Sequence, residues 1–412
     1  MSVEDQAAGH GSGAPVALQP EGVDVEVKIV PVGSAAEYYL LQDGDADLAR
    51  RFRVKVDFAE QFRASDATHH ASCVFLARSC ARRGLPHCTA AAAARLLEFT
   101  HREADDQARQ SASFASLEAL LVESCAQTRA RAAQLTDARD VDAALAARRT
   151  RHNAPEEGLH EAIAEGELLI TLEGQRVGQL NALTQIDMGD YRFGFPVRIS
   201  ARTHAGREGV VNIEREVEMS GPIHDKGVLI LQSYLSALFG HLAPLALNAS
   251  IVFEQEYSGV EGDSASCAEL YALLSSLSGL ALRQDIAVTG ALNQHGEVLP
   301  VGGLNEKIEG WYRVCAQAGL TGTQGVLIPA RNQRHLMLSP QVVQAVADGQ
   351  FHVHAAQHVS EGVALLTGHD AGLAPGECLP GSVHARAEAT LLAYRRAWQA
   401  MALGRRLPQR GR

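Results

Sequence analysis

Ser264 lies in the segment Glu261-Gly262-Asp263-Ser264-Ala265-Ser266, directly after a predicted strand and directly before a predicted amphipathic helix. A serine in the first turn of a helix meets unpaired backbone N–H groups and the positive end of the helix dipole. Such donors hold anions, including the oxyanion of an acyl-transfer intermediate. The plainer reading is that Ser264 only caps the helix. A second segment, Gly302-Gly303-Leu304-Asn305-Glu306-Lys307, opens another helix, in which Leu304, Ile308, Trp311, Cys315 and Ala318 recur at helical spacing. Lys307 therefore stands beside a buried stripe near the helix start. In solvent, paired with Glu306 or Glu309, it is an ordinary surface cation. Drawn into an apolar setting, its pKa must fall from about 10.4 to near 7 to act as a base, at a cost of about 4 kcal/mol. A lysine tuned in that way can take the serine proton in place of a histidine. Lysine is scarce: Lys28, Lys55, Lys226 and Lys307 stand against 33 arginines. Arginine cannot give up its proton in a protein, so each lysine is worth attention.

Both segments need elements to position them. Residues 1–22 read as a flexible leader, Val23 to Val32 as a strand, and Tyr38 to Phe58 as mixed. From Ala59 to Arg151 the pattern is helical, broken at Gly84 and Pro86, with Asp137 and Asp140 as caps for a last helix through Arg149. Asn153-Ala154-Pro155 reads as a boundary. Beyond it, strands are expected at Leu168–Leu172, Val197–Thr203, Val210–Val217, Leu247–Phe253, Ile286–Leu292 and Val326–Ile328. Helices at 226–242, 265–280, 304–318 and 339–348 alternate with them, which predicts an α/β or α+β architecture. The segment from His369 carries one further helix, Ala385 to Leu403, and a basic end.

These residues together resemble the Lon proteases, specifically the LonB-type branch. The resemblance rests on Gly262-Asp263-Ser264-Ala265-Ser266, on Gly302-Gly303-Leu304-Asn305-Glu306-Lys307, and on the 43-residue separation of Ser264 and Lys307. Gly279, Asp285, Thr289-Gly290, Gly296 and Leu299-Pro300 are similar landmarks between them. Gly209 to Glu216 and Gly221 to Gly227 look like upstream blocks of that branch. The resemblance implies a Lon-type α/β (α+β) proteolytic domain over 165–368 and a helical AAA+ lid-like domain over 59–150. It further implies a remnant of an AAA+ core over 23–58 and a C-terminal tail over 369–412. By that resemblance Ser264 is the nucleophile and Lys307 the general base, with the Thr289 hydroxyl steadying the neutral amine. Glu261 stands where relatives commonly carry Asp and is a supporting residue. Backbone N–H groups of Asp263, Ser264 and Ala265 form the expected oxyanion hole. His224 and Lys226 are expected to be structural or to line the substrate. The family implies a homo-oligomeric, hexameric ring acting on unfolded or damaged protein chains.

Composition limits the alternatives. The net charge of −11 across 412 residues argues against a nucleic-acid surface. The uncharged run from Gly227 to Phe253 is split by Pro244 and reads as helix, breaker and strand, not a membrane span. Seven scattered cysteines without a C-x-x-C pair suggest free thiols in a reducing compartment, and the chain reads as cytoplasmic. A full ATPase needs G-x-x-x-x-G-K-[ST], and the chain contains no Gly-Lys dipeptide. ATP and Mg²⁺ serve the full-length relatives, but no cofactor is expected here; the chain is expected to be a truncated product, ATP-independent, or driven by a partner ATPase. His352, His354 and His358 lack a suitably spaced carboxylate, so no metal site is expected. Two other classes stay open: a non-catalytic scaffold that keeps the fold, and a Ser/Lys hydrolase of small amides.

Overall fold

Four helices open the larger of two units, Glu60–Arg412, the smaller being Met1–Ala59. The computed structural model describes residues 26–45, 47–189, 191–372 and 379–404. Helices α1 (Asp66–Arg83), α2 (Ala90–Glu103), α3 (Phe114–Ala130) and α4 (Ala138–His152) pack around Leu76, Leu96, Leu120, Leu121 and Val141. Their ends follow local chemistry. Ser65 and Asp137 form capping boxes, and Gly84 ends α1 at φ 60°, a left-handed turn that side chains avoid. The expected break at Gly84–Pro86 and the expected Asp137 cap are both present. Short antiparallel strands at Gln61–Arg63 and Arg109–Ser111, unforeseen in the helical pattern, add a second break.

Asn153 ends α4 and turns directly into α5 (Ala154–Glu165), with Pro155 in its first turn. The expected boundary is thus a helix–helix corner, because proline's fixed φ suits a helix start as well as a loop.

A mixed seven-stranded sheet follows: β1 (Gln179–Asp187), β2 (Arg192–His204), β3 (Gly209–Asn212), β4 (Asn248–Glu254), β5 (Ile286–Val288), β6 (Gly325–Pro329) and β7 (His352–Ala356). Spatial order is β7-β6-β5-β1-β2-β4-β3; β1 pairs antiparallel with β2 and β2 with β4, and the other neighbours run parallel. Alternate residues face two cores. Leu180, Ile286, Val288 and Leu327 meet α7 (Ser266–Ser278), while Leu183, Ala287, Val326 and Ile328 meet α8 (Leu304–Ala318) and α9 (Pro340–Ala347). Trp311 of α8 is fully buried there, worth about 3 kcal/mol of apolar transfer. Helix α6 (Pro222–Leu238) precedes β4 in the chain. The mixed helix-and-sheet class expected from the sequence is the class found.

Several expected elements differ. Leu168–Leu172 forms no strand: Gln255 and Asn181 side chains bond the backbone at Glu167, Leu169 and Thr171 in place of a ladder. The strand lies at β1, where Gln and Asn interrupt the apolar alternation. Val210–Val217 divides into β3 and a helical turn, Ile213–Glu216, capped by Asn212. Ile286–Leu292 breaks at Thr289-Gly290, and Ala291–Leu292 pairs instead with Val298–Leu299. Helix α10 (Val359–Thr367) is an additional element beyond the expected ones. The expected tail helix is present as α11 (Val383–Gly404), and Val383, Ala387 and Leu391 are buried in the main core.

In the smaller unit, Ser34 caps a helix over Ala35–Gly44 with a capping box to Glu37. Of the strand expected at Val23–Val32, residues 26–32 are unpaired backbone, since no second strand is present among the described residues of this unit. Residues 23–25 and the leader 1–22 lie outside the described residues.

Candidate active site

The last turn before α7 presents Ser264. The helix begins at Ser266 with Ala265 in the cap position, so Ser264 precedes the first turn and caps nothing. Its backbone is pinned from the end of β5. Gly290 N–H donates to the Ser264 carbonyl at 2.7 Å, and the Thr289 hydroxyl donates to it at 3.3 Å. Cys267 N–H returns to the Gly290 carbonyl at 3.0 Å. Among the described residues, the N–H groups of Asp263, Ser264 and Ala265 donate to no protein acceptor. They stand at the positive end of α7, free for an anion.

Lys307 comes from the first turn of α8 on the other face of the sheet and is 4% exposed. Its amine donates to Ser264 Oγ at 2.7 Å and lies 3.4 Å from Thr289 Oγ1. The solvated-lysine alternative does not describe this side chain, because Glu306 and Glu309 pair with Arg102 instead. Burial pulls the Lys307 amine down to about 8, opposed by the Asp263 charge.

Glu261 is not part of this cluster. It is exposed, its carboxyl lies against Gly221, and it bonds neither Ser264 nor Lys307. The acidic group that acts on Lys307 is Asp263, whose side chain lies in the same motif as Ser264. His224 is buried, with Asn212 Nδ2 at 3.3 Å and Glu269 Oε1 at 3.7 Å, and burial holds its pKa below the usual histidine value. Lys226 is exposed on α6. His352 and His354 lie side by side on β7, with ring centroids 5.9 Å apart, while His358 caps α10.

A family model described as the Lon protease (S16) C-terminal proteolytic domain matches residues 258–367, a stretch that contains Ser264, Thr289 and Lys307. The archaeal LonB AAA+ ATPase LID domain matches residues 87–151, and the LonB-like AAA domain matches residues 1–59. Three stretches of the chain are thus similar to domains of Lon-type proteins. A Lon protease homolog of Escherichia coli strain K12 is 45% identical over 212 residues, 51% of this chain and 36% of that protein. Its Haemophilus influenzae counterpart is 40% identical over 210 residues, 50% of this chain and 35% of that protein. The archaeal Lon protease of Pyrococcus abyssi is 34% identical over 174 residues, 42% of this chain and 16% of its own length. The chain thus aligns with about a third, or less, of the curated Lon relatives it matches.

Around the Lon motifs the structure adds Glu214 and Glu269, which the sequence did not single out, beside the expected His224. Behind the Ser264 turn, Glu214, His224 and Glu269 form a buried group with Asn212. Burial, then the Glu214 charge, pushes the Glu269 carboxyl up to about 8. Glu214 Oε1 accepts from the Phe253 backbone at 2.8 Å, tying this group to β4. A glutamate inside the apolar stripe of α7 was the available signal, and the helical pattern alone concealed it. Cys73, Cys80, Cys88, Cys125, Cys267 and Cys315 carry free thiols, while Cys378 lies outside the described residues. No helix among the described residues is long and apolar enough to cross a membrane.

Proposed function

We propose that this chain is a serine endopeptidase in which Lys307 activates Ser264. One observation carries the reading: the 2.7 Å contact between Nζ and Oγ, made by an amine that burial has brought to about 8. At pH 7 about one amine in ten is then uncharged, against about one in three thousand for an ordinary lysine. In that form the contact reverses, and the Ser264 hydroxyl donates to the lone pair of Nζ. As Oγ attacks the scissile carbonyl, its proton passes to Lys307, and the oxyanion develops beside the N–H groups of Asp263 to Ala265. The resulting ammonium protonates the leaving amine, which departs and leaves an acyl-enzyme. Lys307 next takes a proton from water as the oxygen attacks the acyl carbon; collapse breaks the C–Oγ bond, and Lys307 returns that proton to Ser264 Oγ. Thr289 keeps the amine turned toward Ser264 while its own hydroxyl holds the serine backbone. Glu261 takes no part in these steps.

We further place the protein in the cytoplasm, with unfolded or damaged chains as substrates and a hexameric ring of copies around them. Residues 1–412 carry no phosphate-cradling Gly-Lys loop, so this stretch hydrolyses no ATP by itself. Work that requires ATP comes from other residues or a partner ATPase. Neither metal nor cofactor enters the peptide-bond chemistry. Incubation of the purified chain with casein, with and without ATP, tests the proposal. Cleavage lost in Ser264→Ala and in Lys307→Ala, and indifferent to ATP, supports it. An inert protein points to a scaffold, and turnover confined to short peptides points to a small-amide hydrolase.

A further inference from the structure

Helix α6 begins beneath the loop that carries Ser264. Gly221 N–H donates to the Val260 carbonyl at 2.9 Å, and Val260 N–H donates to the Met219 carbonyl at 2.9 Å. The loop is thus laced to the residues that lead into α6. One turn into the helix, a Cβ at Gly227 would stand 2.6 Å from Ser266 Oγ and 3.2 Å from Asp263 Cβ, so α6 packs directly on the Asp263–Ser266 turn. Between these two contacts lies His224, 1% exposed, its ring at 77° to that of Phe253 with centroids 5.4 Å apart.

The neighbours of the ring fix which nitrogen holds its proton. Asn212 Oδ1 accepts from the Arg215 N–H at 3.0 Å, which turns the Asn212 amide nitrogen to His224 Nε2 at 3.3 Å. An amide N–H only donates, so Nε2 is the acceptor and the proton of the neutral ring sits on Nδ1. Burial holds the ring neutral against the pull of Glu214, Asp225 and Glu261, and its backbone hydrogen-bond partner is Gly262. A backbone group that favours the protonated ring is an acceptor, hence the Gly262 carbonyl.

That carbonyl is one end of a planar trans peptide whose other end is the Asp263 N–H, and the two point in opposite directions. Gly262 has φ 87° with open space where a Cβ would stand, so the backbone angle, not crowding, calls for glycine. The Asp263 N–H meets no protein acceptor among the described residues. A donor fixed on the carbonyl side therefore aims this N–H away from the core.

We propose that His224 is a positioning residue of the Ser264 site: its Nδ1–H holds the Gly262 carbonyl and, through that one peptide plane, turns the Asp263 N–H into the oxyanion hole. The inference rests on the reading of Ser264 as a nucleophile whose oxyanion develops beside Asp263 to Ala265. His224 itself touches no reacting atom.

Steady-state peptide hydrolysis by variants of the whole chain tests this. His224→Leu removes the donor and is expected to lower kcat about a hundredfold, the scale of one lost oxyanion donor, with KM within about twofold of the wild type. His224→Asn puts an amide nitrogen where Nδ1 stands and recovers most of the loss. His224→Gln puts one where Nε2 stands, facing Asn212, and does not. Wild-type kcat in His224→Leu overturns the proposal, as does a loss confined to KM, which assigns the ring to substrate contact. Equal rates in all three variants also overturn it, because packing alone then explains the effect. Should His224→Leu not fold, the wild type carrying ¹⁵N-labelled histidine is measured with a peptidyl boronate, the His224 signal being assigned by its loss in His224→Asn. The boronate adds to Ser264 Oγ as a tetrahedral anion while the serine proton passes to Lys307. Its negative oxygen polarises the Asp263 peptide, strengthens the Gly262 carbonyl as an acceptor and moves the Nδ1–H signal downfield. A proton on Nε2, or an Nδ1–H signal that the boronate leaves unmoved, overturns the idea. Failure of the underlying reading shows separately, as cleavage that survives Ser264→Ala whatever the ring does.

Discussion

Gly194 of β2 lies directly beneath Lys307: a Cβ at 194 would stand 2.4 Å from the Lys307 Cα and 2.5 Å from the Glu306 carbonyl. The approach is reciprocal, since a Cβ at Gly310 would meet the Gly194 carbonyl at 1.7 Å. Backbone touches backbone, so no side chain can swing aside to make room. This contact sets how deep α8 sits on the sheet, and with it the reach of Nζ toward Ser264. Gly194→Ala is therefore expected to cost about 1–3 kcal/mol of stability by overpacking. It should also lower the cleavage rate at least tenfold by lifting Lys307 away. Urea denaturation and peptide hydrolysis, measured on the same preparation, check both. Wild-type values for the two would show that the sheet does not fix the lysine.

The depressed amine makes a stability prediction that needs no substrate. Folded Lys307 titrates near 8, whereas the unfolded chain titrates near its ordinary 10.5. Between those values the unfolded state binds more protons, so stability rises with pH across that window. Below pH 8 both states are protonated and the full cost of burying the ammonium is felt. Relative to Lys307→Met, the wild type should gain about 3 kcal/mol between pH 8 and 10.5. Denaturant midpoints of the two proteins across that range should converge as pH rises.

Glu269 should act in the opposite direction. Its folded carboxyl titrates near 8 against an ordinary 4.5, so between these values the folded state holds the extra proton. Stability from this group is complete below pH 4.5 and is lost as pH rises through 8. Glu269→Gln, which keeps the shape without the ionisation, should remove up to about 5 kcal/mol of that pH dependence. A variant as pH-sensitive as the wild type between pH 5 and 8 would show that Glu269 ionises freely in the fold.

How much of this could be read in the sequence follows from how local each cause is. The Ser264 and Lys307 segments and the helices 265–280 and 304–318 were legible because caps, glycines and apolar spacing act over a few residues. Strand β1 was hidden because Asn181 points its amide to the Thr171 and Gln284 carbonyls, a reason that exists only after folding. Arg102 gave no signal at all: it lies more than 200 residues from Glu306 in the chain and looks like any basic residue near a helix end. Gly194 in a strand did carry a hint of close approach, but nothing in the sequence says what approaches. Asp263 was in view throughout, yet its pull on Lys307 depends on a turn that only the β5 end fixes.

The pH dependence of peptide hydrolysis in Lys307→Arg beside the wild type tests the central claim most directly. A neutral amine acting as base gives a wild-type rate that climbs with pH to a half-maximum near 8, and it leaves Lys307→Arg at least a thousandfold slower at every pH, since a guanidinium accepts no proton. An arginine variant that cleaves at near wild-type rate, with the same pH profile, would contradict it and assign the base to another group.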